Sequence, residues 1–424
     1  MRDCLFRGVR LLDPASGLDR VGELLVRDGR IADLGGGLGA PDGAEVIEGN
    51  AAVLCPGLVD MRASLGEPGF EYRETIASAA EAAAAGGVTT LACLPDSRPA
   101  IDDPALVRLL ATRGEEIGSL TILPYAAVTR GCAGKALAEL GLLREAGAVS
   151  FSDGAHSIGS AVLMRHALAY ARGFGAMIVQ HPEEPALAAG GAATEGPLAT
   201  RLGLAGIPAA AEAIQVARDI SLARLTQGAV HFAHVSTAAA LSLIRAAKDE
   251  GLGVTCDTAP PYFDLNETAI GDFRTYAKLS PPLRPESDRL AVCAALADGT
   301  IDAIASDHQP RDADDKRLPF AQAAPGGAGL ATLLAVTLVP VHNGTLTLAH
   351  AIDLITARPA RLLGASAGRL SAGAAADLCL FHPERAWQVE AGSLPGKAQN
   401  TPFDGRALEG KVLGTWKKGR RVFG

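Results

Sequence analysis

The sequence predicts an α/β protein: a (β/α)8 barrel, or TIM barrel, with a small β domain built from both chain ends. Three observations predict it. The two ends read as short strands between turn signals. The long middle alternates strand-like runs with Ala-rich helical ones. Polar residues recur where the strands of the middle stop.

A chain of 424 residues suits one large domain plus a smaller one. Hydrophobic residues make up 48% and charged residues 20%, so a sizeable core can form and disorder is not expected. The 49 glycines and 25 prolines are scattered, which fits many short loops and no linker. The net charge is −8, and the only basic cluster is Lys417, Lys418, Arg420 and Arg421, so a nucleic-acid partner is not expected. Seven cysteines stand singly and form no CxxC pair. Neither a disulfide framework nor a zinc knuckle is indicated, and most read as small buried residues. No cationic segment precedes an apolar stretch at the start, and no uncharged apolar run reaches about 18 residues. Neither export nor a membrane is expected, and a cytoplasmic location is the default.

In chain order, residues 4–12, 22–27 and 30–34 carry Val, Leu and Ile between the turns Asp13-Pro14 and Asp28-Gly29. Runs 378–381, 412–417 and 421–423 look alike, so the two ends are expected to pair: residues 1–55 and 364–424 as one composite domain, 56–363 as the barrel. Trp387 and Trp416 are expected in the core of the composite domain, and the basic cluster at a solvated strand end. In the middle, strands are expected at 88–93, 121–126, 176–180, 230–234, 253–256 and 303–306. Helices are expected at 74–85, 104–113, 137–145, 209–225 and 238–249. A doubly wound sheet is the alternative, weakened because no GxGxxG or GxxxxGK[ST] follows an early strand.

Barrel chemistry sits at the C-terminal ends of the strands. There the sequence places Asp60, Asp153, His181, His234, Asp257 and the pair Asp307-His308. One such histidine is more often a hydrogen-bonded structural residue. Two His and two Asp at successive strand ends are the donor types of a hydrolytic zinc site. A zinc ion there would acidify its water, and a nearby carboxylate could take the proton. The residues alone leave metal and no metal both open. His156, His166, His342, His350 and His382 read as surface or locally bonded. His231 points to the face opposite His234 and reads as packed between barrel and helices.

At this point the sequence resembles the type I dihydroorotases of the amidohydrolase superfamily. The likeness runs through Pro56-Gly57-Leu58-Val59-Asp60, Glu67-Pro68-Gly69, Glu74-Thr75-Ile76 and Ala85-Gly86-Gly87-Val88-Thr89-Thr90. It continues in Phe151-Ser152-Asp153-Gly154, His234-Val235-Ser236-Thr237, Pro281-Pro282-Leu283-Arg284, Ser306-Asp307-His308 and Asn400-Thr401-Pro402-Phe403. The resemblance implies a metal-dependent barrel flanked by a small β-sandwich from both termini. It implies reversible cyclisation of N-carbamoyl-aspartate to dihydroorotate in pyrimidine biosynthesis. It further implies Asp153, His181, His234 and Asp307 as metal ligands, with Asp307 also the catalytic acid/base.

The departures lie on one side of that site. Where the family reads Asp-x-His-x-His-Leu-Arg-Glu-Pro-Gly, this chain has Arg62, Ser64 and Gly66 in place of both histidines and the substrate-clamping arginine. Asp96 stands where a substrate-contacting amide belongs, and Arg311 where a histidine does. An arginine is always charged and cannot ligate a cation, but it could offset Asp153 and Asp307. Without the arginine at 66 the bidentate carboxylate clamp is gone, and Asp96 repels a dianion. The expectation is therefore a dihydroorotase-like protein of pyrimidine biosynthesis with a degraded metal and substrate site. Its expected role is that of a non-catalytic structural partner of aspartate transcarbamoylase, and this chain is also expected to form a homo-oligomer. The alternatives are a single-metal amidohydrolase acting on a cyclic amide or ureide, and a residual dihydroorotase. At most one zinc ion is expected, and none is an equal reading. Asp96 and Arg311 are the expected substrate-side residues.

Overall fold

The computed structural model describes residues 3–424. Eight parallel strands form its middle: Leu58–Ala63, Val88–Cys93, Thr121–Ala126, Ser150–Ser152, Met177–Gln180, Ala229–Phe232, Val254–Thr258 and Ala303–Ile304. They neighbour one another in that order and pair in parallel throughout. Their apolar runs are buried on both faces, as a parallel sheet wrapped in helices requires; the first two are buried at every position.

The barrel closes between its first and eighth strands. Ala63 bridges His308, and the Ser64 N–H donates to the His308 carbonyl at 2.8 Å. Across the same seam the Ser306 N–H and hydroxyl donate to Asp60 at 2.8 and 2.5 Å. This closure excludes the doubly wound alternative.

Local chemistry sets the helices that wrap the barrel. Thr75 and Ser78 form a reciprocal capping box at the start of Ile76–Ala85. Asp103 caps Pro104–Ile117, which opens on proline and stops at Gly118 with φ +67°. Thr237 caps Ala238–Asp249. Two strands stop short of their expected ends, at Phe232 and Ile304, because the chain then turns through positive φ at His234 (+41°) and Asp307 (+46°).

Strands from both chain ends join in a second sheet. Its order is Arg420–Phe423, Ala407–Lys417, Leu378–Gln388, Val53–Pro56, Cys4–Asp13, Leu18–Arg27 and Arg30–Gly35, with Glu45–Glu48 also on Cys4–Asp13. Phe6, Leu11, Leu24, Leu54, Leu380 and Trp416 share one buried core, with Phe6 edge-on to Trp416 at 4.8 Å. Two residues depart from expectation here. Trp387 packs on the larger cluster that holds the barrel and helix residues, its indole N–H donating to the Gly410 carbonyl at 3.0 Å. Lys417 is buried, not solvated, and pairs with Asp377 at 2.6 Å, whereas Lys418, Arg420 and Arg421 are exposed. The seven cysteines are all free, five of them buried. No helix among the described residues is long and apolar enough to cross a membrane.

Gly57 shows how tightly the chain enters the barrel. A Cβ there would lie 2.2 Å from the Thr89 hydroxyl oxygen and 2.5 Å from its methyl carbon. Gly57→Ala should therefore destabilise the fold by about 1–3 kcal/mol through overpacking. Urea unfolding checks this; a variant as stable as the parent would mean that the strand entry has slack.

Candidate functional site

Arg62 lies near the end of the first barrel strand, its side chain only 1% exposed. Its Nε donates to Asp307 Oδ1 at 2.8 Å, beyond the eighth strand. Its Nη2 donates to the Gly154 carbonyl at 3.1 Å, just past the fourth. Its Nη1 is buried without a hydrogen-bond partner. One guanidinium thus spans three strand ends across the barrel mouth. Asp307 also accepts from Gln309 Nε2 at 3.0 Å. Burial raises its carboxyl above the usual carboxylate range, while Arg62 and Gln309 pull it down.

The other three predicted ligands are engaged elsewhere. Asp153 accepts from the Thr129 N–H at 2.9 Å and the Thr129 hydroxyl at 2.5 Å. Burial raises it as well. His181 Nδ1 and His234 Nε2 face each other at 3.0 Å, the rings stacked with centroids 4.9 Å apart. A proton on His181 Nε2, which lies 3.5 Å from Glu183 Oε2, leaves Nδ1 to accept from His234. Burial, and then the charge of Arg62, hold His234 neutral. The His234 N–H donates to Asp257 Oδ1 at 2.6 Å, and Asp257 Oδ2 meets His231 Nε2 at 2.9 Å. His231 is fully buried and also bonds Thr255 at 2.8 Å. His234 and Asp307 keep left-handed backbones that cost on the order of 1–3 kcal/mol each, the kind of strain that gathers at functional sites.

A hydrolytic zinc needs about three free protein donors beside an open position. Among the described residues, no group of three or more His, Cys, Asp or Glu side chains could hold a metal ion. Arg62 bonds Asp307 Oδ1, Thr129 takes both oxygens of Asp153, and the two histidines bond each other through one nitrogen apiece, leaving His234 Nδ1 buried without a partner. The donor set does not fit a metal ion, because a permanent cation already lies against Asp307 and beside His234 and repels a second one.

The substrate-side residues do come together. Ser64, Gly66, Asp96 and Arg311 line one small recess of about 30 Å³ with Phe70, Arg73, Gln309 and Pro310. The Ser64 hydroxyl donates to Asp96 Oδ2 at 2.5 Å, so two changed positions pair with each other. Gly66 has φ +71°, and a Cβ on it would lie 2.3 Å from the Glu74 carbonyl oxygen. The backbone itself has closed over the place of the missing arginine. Arg311 Nε donates to the Pro325 carbonyl at 2.7 Å, and its backbone N–H to Asn400 Oδ1 at 3.1 Å. Asn400 Nδ2 in turn donates to the carbonyls of Gln309 (3.1 Å) and Gly326 (2.9 Å).

Sequence reading left several contributors without a role. Thr129, Glu183 and Arg73 lie in loops, and no spacing marks them. Asp257 was visible as a strand-end acid, but its hold on His234 was not.

Removing one partner of a buried ion pair strands the other. Arg62→Leu should cost about 3–5 kcal/mol, and adding Asp307→Leu should recover much of it. Urea unfolding of both single variants and the double checks this; purely additive losses would show that the two groups do not interact.

The closed barrel, the sheet shared by both termini and the strand-end residues can now be set beside known proteins. A dihydro-orotase-like family model matches residues 51–240. The dihydroorotase of Pelobacter propionicus is 44% identical over 419 residues, covering 99% of each chain. That of Geobacter sulfurreducens is 44% identical over 411 residues, covering 97% of each. Among solved structures, an L-hydantoinase (dihydropyrimidinase) from Arthrobacter aurescens superposes with a TM-score of 0.88 at 25% identity, over 100% of this chain and 96% of that one. A dihydropyrimidinase from Brevibacillus agri shares the fold, with a TM-score of 0.83 at 23% identity over 99% of this chain and 95% of that one. With full-length identity above 40% to dihydroorotases and the same barrel, this chain belongs to the dihydroorotase family.

Proposed function

We propose that this chain is a dihydroorotase-like protein of pyrimidine biosynthesis that does not catalyse the family's reaction, and that it serves as a structural partner of aspartate transcarbamoylase. The observation that carries the first half is Arg62, a buried cation bonded to Asp307, the carboxylate that the family resemblance assigns as acid and base. Two losses support it. The centre has no free donor set to activate water, which removes the largest single contribution such a site makes. The recess presents Asp96 to a dianionic substrate and has no room for a side chain at Gly66. A family scaffold kept whole around a rearranged centre is what an assembly role requires, and the protein is placed in the cytoplasm on the same reading.

The chemical half is tested by assaying the purified chain in both directions, with and without added Zn²⁺, alongside metal analysis of protein never exposed to chelator. No turnover above background and substoichiometric zinc are expected. Turnover that disappears in Asp307→Asn would overturn the reading in favour of a working amidohydrolase. The assembly half is tested by co-expression with the transcarbamoylase of the same organism. Co-elution on sizing, and transcarbamoylase activity that depends on this chain, are expected; separate elution with independent activity sinks it.

A further inference from the structure

We propose that the rim of the barrel holds a binding site for a small oxyanion, a phosphate or a carboxylate, gripped between Arg73 and Arg311. The site goes beyond the scaffold role and stands without it. Just outside the recess lies an open cleft of about 270 Å³, and the two share Arg73 and Arg311 in their walls. Lys316 and Lys397 complete a set of four basic lining residues, against one carboxylate, Asp312. In a chain of net charge −8, such a concentration of positive charge in one concavity attracts and focuses anions.

The two arginines are poised rather than satisfied. The Arg73 guanidinium lies over the rings of Phe70 and Tyr72, 4.7 and 5.2 Å from their centroids. Its Nε is buried without a hydrogen-bond partner, and its nearest carboxylate, Asp315, stands at 3.6 Å with Oδ2 equally unpartnered. Aromatic faces hold the plane of this guanidinium while its N–H edge meets only Asp315, as an ion pair without a hydrogen bond. Arg311 spends only Nε on the protein, and Asn400 pins its backbone. Burial and then Arg73 oppose the charge on Arg311. Lys316, capped by the carbonyls of Thr275 and Lys278, is pushed down to about 7 by burial and then by Arg311. Positive groups that destabilise one another across a cavity lower their energy by sharing an anion.

The carboxylates nearby supply that anion only in part: Asp315 lies 3.6 Å from Arg73 and, with Asp96 and Asp307, favours the charge on Arg311. Asp96 is turned to the Ser64 hydroxyl, and Asp315 meets Arg73 without a hydrogen bond. A guanidinium fork matches the paired oxygens of phosphate and carboxylate alike. Because Arg62 closes the inner chamber, the ligand is read by the rim and not by the strand ends.

Titration calorimetry of the full chain at low ionic strength, with inorganic phosphate and separately with succinate, tests this. Saturable binding of at least one is expected, weakening as salt rises. Phosphate alone would identify a phosphorylated ligand, and succinate alone a polycarboxylate. Arg311→Gln and Arg73→Gln should each weaken binding about tenfold or more, while Arg165→Gln, on a remote helix, should not. Neither anion saturating, or both rim variants binding like the parent, overturns the site. If the arginine variants do not fold, Lys397→Gln replaces them. This amine is exposed and donates only to the Glu71 carbonyl, and unaltered binding in that variant overturns the site equally.

Discussion

A buried charge has to be answered on every side, and the bond between Arg62 and Asp307 is where this protein answers it. The guanidinium cannot lose its proton, so its surroundings adapt. Its charge draws the Asp307 carboxyl down against the larger rise that burial imposes, the Gly154 carbonyl turns inward, and the nearby His234 stays neutral. The facing imidazoles of His181 and His234 are the sequel: two stacked rings, each the other's hydrogen-bond partner. The pair also crosses the seam between the first and eighth strands, beside the Ala63–His308 bridge. It therefore ties the barrel shut at the point where its backbone bonding is thinnest.

The changes at the barrel mouth are coordinated rather than scattered. Ser64 and Asp96 each depart from the family pattern, and each is the other's hydrogen-bond partner. At Gly66 the loop has folded onto the Glu74 carbonyl, so restoring a side chain there would require a different backbone path. The new residues fill one another's needs, which is the mark of a settled arrangement and not of a site stripped at random.

Much of the architecture was legible because burial leaves periodic traces. Runs 88–93 and 121–126 and the helix 238–249 fall where apolar continuity and capping residues put them. The strands before His234 and Asp307 read too long, since a left-handed residue after an apolar run has no sequence signature. Trp387 and Lys417 were misplaced because burial where sheet meets barrel depends on the docking of two units, which no local pattern encodes. In the site, the identities of the strand-end residues were readable and their pairings were not. Arg62 was expected to offset both Asp153 and Asp307; it bonds Asp307 alone, and Thr129 satisfies Asp153. Arg73 stayed hidden because it enters the recess from an irregular loop, where sequence spacing says nothing about distance.

Asn400 gives the C-terminal segment a part in all this. Its one amide joins the backbone of Gln309, Arg311 and Gly326, so both arms of the loop between those residues hang from a single side chain. That side chain belongs to the stretch leading into the terminal-sheet strand Ala407–Lys417. The rim of the barrel is thus wired to a sheet made of both chain ends. The backbone of Arg311 is held by a residue of the C-terminal stretch, and the end of the chain is as much a wall of the mouth as the barrel loops are.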